Sequence, residues 1–291
     1  MRSRTHLFVT SAALILAVSV VPSLIAQRGQ GAGRGAAAPQ APAGPVPRLS
    51  NGKPDLSGLW ANPYTPNMAG RGLMNPATRQ PLTFPRQGEA LPDAAAGSGT
   101  RAFDLPYAEW GLNQWKTYDP VNNGDAAGNC MPFGMSRNMN SPNGLLIIHH
   151  TDALAFLFEQ DTWFHWVPLT AGFKWPADLP ETWNGVSTGR WDGDTLVIET
   201  TGFNGYTKLD TTGHPHSKQL TLTNTFTRTD ANTMTHTVTV HDPRTYSQDW
   251  MNVRTWRTRS APDVIMEYSC DENNLHSLLD GSIKVWKVPE D

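Results

Sequence analysis

The densest cluster of chemically capable side chains in this chain is His214-Pro215-His216. On an extended segment, residues i and i+2 point to the same side, so the two imidazoles can act together. Asp210 lies four residues upstream, placed to orient an imidazole that works as a general base. Two histidines and a carboxylate also suit a divalent transition metal such as zinc. His214, His216 and Asp210 are therefore the candidate catalytic residues, and His214 and His216 the candidate metal ligands. A purely structural alternative has His214 capping a turn, Pro215 stiffening it and His216 bonding Asp210.

The other histidines read differently. His236 lies on a strand pattern with Met234, Val238 and Val240, and its pairing places it on one face with Leu220 and Phe226. Together with Asn224, Trp191 and Glu267 it forms the candidate lining of a ligand pocket. His149 and His150 are adjacent on a strand and must face opposite ways. His165 reads as barrel wall and His241 as a strand end. The 11 tryptophans can fill a broad core or line an aromatic pocket. Other catalytic signatures are absent: no Gly-x-Ser-x-Gly elbow, P-loop, dinucleotide fingerprint, His-Glu-x-x-His or calcium loop occurs.

These residues need a scaffold, and the patterning predicts β-structure. Between Ser187 and Thr258 threonine occurs 19 times, a composition that suits pleated, half-buried surfaces. Gly189 to Thr200 reads as a hairpin around Asp192-Gly193. Gln219 to Arg228 and Met234 to His241 alternate threonine with larger residues, a period of two. Gly144 to His150, Ala153 to Glu159 and Thr162 to Leu169 read as a meander upstream. Trp250 to Arg259 and Val264 to Cys270 add two more strands. Many sequential strands with short turns predict an up-and-down antiparallel barrel or a strongly curved sheet, with a β-sandwich as the alternative. Gly58-Leu59-Trp60 resembles the Gly-x-Trp opening of lipocalin-like barrels, in which the tryptophan closes the base. The Pro-, Gly- and Ala-rich stretch between Pro63 and Cys130 predicts long loops and one flanking helix within Pro106 to Tyr118.

The ends of the chain frame the compartment. Arg2 and Arg4 precede an apolar run from Leu7 to Ala26, which reads as a signal peptide over residues 1–26. Residues 27–50 are rich in Gly, Ala and Pro and read as a disordered linker, leaving 51–291 as a single barrel-like domain with no transmembrane segment after cleavage. Export to the periplasm or beyond is an oxidising route. The two cysteines, Cys130 and Cys270, then pair in a disulfide or remain as buried thiols. A bridge closes a loop of about 140 residues, a stabilisation of about 4–5 kcal/mol. Removing the five arginines before residue 51 leaves 18 basic against 26 acidic side chains. A body this acidic excludes ordinary nucleic-acid binding.

Several runs together resemble a widespread family of exported bacterial proteins of unknown function. They are Pro54 to Trp60, Asp119-Pro120, Cys130 to Arg137, Gly189 to Thr200, Gly202-Phe203-Asn204, Leu209-Asp210, Gly213 to Ser217, Asp242-Pro243, and Glu267 to Cys270 with Asn273-Asn274. The resemblance covers nearly all of the chain beyond residue 50. It implies export and a β-fold with lipocalin-like features. The family pattern carries Glu-Arg where this chain has Asn224-Thr225. The expectation is an exported barrel that binds a small, partly apolar ligand in its pocket. The rival expectation is an enzyme of the same fold, a lyase, isomerase or hydrolase, using His-Pro-His with or without a metal.

Overall fold

In the computed structural model, residues 43–85, 91–93, 99–101, 104–119, 125–259 and 263–270 are described. The expected signal peptide and residues 27–42 of the expected linker lie outside them. Nine strands form one antiparallel sheet: β1 (Gly58–Ala61), β2 (Leu145–His149), β3 (Ala153–Phe158), β4 (Phe164–Pro168), β5 (Val186–Asp192), β6 (Thr195–Thr201), β7 (Thr221–Arg228), β8 (Thr233–His241) and β9 (Trp250–Thr258). The sheet curls into a nearly closed barrel, so the barrel reading holds and the sandwich does not. Residues 91–93 and 99–101 pair separately.

The alternation places the core. Leu222, Asn224, Phe226 and Arg228 of β7 point inward while its threonines are only partly covered. The Asp192-Gly193 turn joins β5 to β6, with Asp192 opposite Thr195 and Gly193 at φ 58°, where a side chain is strained. The register of β7 on β8 sets His236 opposite Phe226, as its spacing requires. Trp60 is wholly buried at the barrel base and donates its indole N–H to the Leu56 carbonyl at 3.0 Å. The Arg228 guanidinium lies over its ring at 5.0 Å.

The barrel closes in two different ways. β1 pairs with both β2 and β9, which zips the first strand to the last. The two edge strands are β4 and β5. With an odd number of alternating strands, these edges run the same way. Parallel neighbours need a crossover of about a dozen residues or more, and residues 169–185 supply it. No hydrogen-bonded ladder joins β4 to β5. Side chains bridge the seam: a Cβ at Gly189 would collide with Leu169 and crowd Val167, so glycine permits the close approach there.

Helix α1 (Glu109–Thr117) falls inside its expected span, with Trp115 wholly buried. Three expectations fail. A second short helix, α2 (Met135–Asn140), appears where none was read. Val264 to Cys270 is no strand, because both edges of β9 are already taken by β8 and β1. Residues 43–50, read as linker, are fixed to the domain: Gly44 accepts from the Ala231 amide at 2.9 Å and Arg48 pairs with Asp194 at 2.7 Å. Cys130 and Cys270 form a disulfide. Among the described residues no helix is long and apolar enough to cross a membrane.

Candidate functional site

The loop between β6 and β7 carries the His-Pro-His motif and folds inward. His214 and Asp210 are both wholly buried, with Nδ1 at 2.6 Å from the Asp210 carboxylate. Nε2 faces Asp104 at 3.3 Å, and the ring stacks on Trp115 at 4.6 Å. Burial pulls the His214 pKa down, but Asp210 and then Asp104 more than reverse this and raise it to about 9. Both nitrogens therefore carry protons at neutral pH and donate to carboxylates. Asp210 also accepts from the amides of Met68, Gly213 and His214, tying this loop to the segment after β1.

His216 is held apart from that cluster. Its Nδ1 donates to the Ser217 carbonyl at 3.0 Å, and Nε2 accepts from the Thr207 hydroxyl at 2.7 Å. Burial pushes its pKa down to about 4. Tyr246 seals the motif by donating to the Pro215 carbonyl, and Asp242 takes the amide and hydroxyl of Ser217. The expected convergence is thus half present: His214 meets Asp210, while His216 bonds elsewhere. Every ring nitrogen of the pair has a partner within the fold, so the geometry adds no support to the catalytic and metal readings of His214, His216 and Asp210. Among the described residues, no group of three or more His, Cys, Asp or Glu is arranged to hold a metal ion.

The expected interior pocket also separates. His236 donates from Nε2 to the Asn224 carbonyl oxygen at 2.9 Å. Its ring lies on Phe226 at 4.6 Å and against the Trp256 edge at 4.9 Å. Burial, then the Arg254 charge, holds His236 well below its ordinary pKa. His236, Phe226, Trp256, Phe156 and Trp60 all have 0% exposure. A ligand cavity beside them would leave these rings reachable by a water-sized sphere, so the interior around His236 is filled by the protein itself. Trp191 sits at the barrel base near His149 and Lys53. Glu267 is exposed on the segment after β9. Of the four expected lining residues, His236 and Asn224 are in contact, Trp191 lies in the same cross-strand row and Glu267 lies apart.

A concave site forms instead at the β4–β5 seam. A groove of about 700 Å³ is walled by Trp163, Trp166, Trp175 and Trp183. Trp175 comes from the crossover and donates to the Ser187 carbonyl of β5 at 2.8 Å, which fixes it on the seam. Trp166, Phe173 and Trp175 form an edge-to-face cluster with centroids 5.2–5.7 Å apart. Trp183 packs on Tyr206 at 5.6 Å. Cys130, with its bridge to Cys270, and the following Met131-Pro132 form another wall. Among the described residues no charged side chain lines the groove.

His165 also lines the groove, although its sequence context marks it only as wall. Its Nε2 lies 2.6 Å from the Ser187 hydroxyl, across the seam, and Ser187 lies 2.6 Å from the Thr200 hydroxyl of β6. Burial pushes the His165 pKa down to about 4, so the ring is neutral at physiological pH. The signal that marks this site in the sequence is local density: four tryptophans fall between positions 163 and 183. Comparison with family models, curated proteins and solved structures finds no match to this chain.

Proposed function

We propose that this protein binds a small, flat, partly apolar ligand in the aromatic groove at the barrel seam. The carrying observation is the groove itself: four tryptophans around an uncharged space of about 700 Å³. That volume lies within the usual range for small-molecule sites, about 300–1,000 Å³. Edge-to-face packing fixes the rings before any ligand arrives, so little ordering entropy is lost on binding. Apolar residues on the outer face of β2 to β4, among them Ile148, Phe164 and Trp166, extend the groove onto an apolar surface. We place the protein in the periplasm or outside the cell. The disulfide, the apolar run at residues 7–26 and the resemblance to exported proteins support that placement.

Titration with N-phenyl-1-naphthylamine, an uncharged fluorescent aromatic, tests this. One saturable site per chain, with quenching of the intrinsic tryptophan emission, is the expected result. A linear, non-saturating response removes the proposal.

A further inference from the structure

The groove is aromatic, but its polar atoms are not all spoken for. Trp163 and Asn184 both line it, and both carry a buried polar atom, the indole Nε1 and the amide Oδ1, with no hydrogen-bond partner among the described residues. A buried unpaired polar group costs about 1–3 kcal/mol, so two of them on one groove need an explanation. His165 adds a third group through its hydrogen-bonded chain to Ser187 and Thr200.

Proton counting sets the direction of that chain. If Nε2–H donates to Ser187, and Ser187 donates on to Thr200, the Thr200 hydroxyl proton has no acceptor among the described residues. Thr200 has 0% exposure, so water does not supply one. In the reverse order Thr200 donates to Ser187 and Ser187 donates to Nε2. Every proton in the strand interior is then used, and the remaining one sits on Nδ1 of a ring that lines the groove.

We infer that His165 is the specificity-determining residue of this groove, donating Nδ1–H to a carbonyl-type oxygen on an uncharged aromatic ligand. The inference rests on the groove being the binding site. A carboxylate ligand fits poorly, because among the described residues no cation lines the groove to replace its hydration. The ligand class is therefore a neutral aromatic ketone or quinone. The ring's depressed pKa keeps it neutral, which leaves Nε2 able to accept from Ser187.

The test compares two probes of one shape, 2-acetylnaphthalene and 2-ethylnaphthalene, against wild type, His165→Phe and Ser187→Ala. Wild type should bind the ketone about five- to tenfold more tightly than the hydrocarbon, the range one net hydrogen bond supplies. His165→Phe should lose the preference, binding the two probes about equally. Ser187→Ala leaves the imidazole in place, removes the donor that holds the proton on Nδ1 and should shrink the preference. ¹⁵N NMR of wild-type His165 gives a readout independent of ligand and should show the Nδ1–H tautomer. Equal binding of both probes to wild type, a preference that survives His165→Phe, or an Nε2–H tautomer overturns the role of His165 while leaving the groove standing. Failure of both probes to bind removes the groove as the site, and this inference with it.

Discussion

The His214 loop and the β4–β5 seam each hold histidines in hydrogen-bonded settings, and they differ in how completely those histidines are used. In the loop, both nitrogens of His214 and both of His216 end on fixed partners, and Asp210 and Asp242 gather neighbouring amides and hydroxyls. In the seam, His165 has one nitrogen committed to Ser187, and its neighbours Trp163 and Asn184 carry unpaired polar atoms. The first region has spent its polar capacity on holding loops together. The second retains capacity beside an open, aromatic space. Residue types that could do chemistry can also serve to hold loops together, and the partners they keep in the fold distinguish the two regions.

The largest effect should come from the bridge that forms one wall of the groove. Cys130→Ser with Cys270→Ser reopens a loop of 140 residues and should cost about 5 kcal/mol of stability. Because Cys130 lines the groove, affinity for N-phenyl-1-naphthylamine should fall as well. Denaturant unfolding and probe titration on the same sample check both. A stability loss with unchanged affinity would detach that wall from the binding surface.

Asp210→Ala should come next. It leaves the His214 imidazolium buried with one carboxylate fewer and strips the acceptor from three amides, a loss of about 3–5 kcal/mol. Asp210→Asn should fall between this and wild type. Probe affinity of the molecules that remain folded should not change, since Asp210 does not line the groove. A large affinity loss at constant stability would restore the loop as a functional site.

The two regions also predict a stability profile with two falling sides. His214 titrates at about 9 when folded, above its ordinary value near 6.5. Its contribution is complete below pH 6.5 and is lost as pH rises from there to about 9. His165 and His216 titrate at about 4 when folded. Their neutral burial is fully compatible with folding above pH 6.5, and the unfolded chain takes up protons first as pH falls toward 4. Each histidine contributes a slope of about 1.4 kcal/mol per pH unit within its window. The midpoint of urea unfolding should therefore peak near pH 6.5. Substituting His214 by Gln should flatten only the alkaline side.

The sequence carries the local parts of this molecule well. The hairpins over 189–200 and 221–241 are legible because alternation and the Asp192-Gly193 turn act over neighbouring residues. The pairing of His214 with Asp210 is legible at a spacing of four. Its structural character is not, because the second carboxylate, Asp104, arrives from 110 residues away in a Pro-rich stretch. The seam is hidden for a similar reason. Whether β4 and β5 meet, and run parallel, depends on the number of strands in the whole sheet. Val264 to Cys270 alternates like a strand, yet no free edge of β9 remains to receive it. His236 and Asn224 do face inward together, as their parity implies, but the bulk of Phe226, Trp256 and Phe156 fills the space a ligand would need.

The most direct measurement is probe affinity in Trp166→Ala. Trp166 is 41% exposed, so its removal should leave stability nearly unchanged while taking away one face of the groove. Titration with N-phenyl-1-naphthylamine should show affinity about tenfold weaker than wild type, about 1.4 kcal/mol. Wild-type affinity in Trp166→Ala, at unchanged stoichiometry, would place the binding site elsewhere and contradict the account.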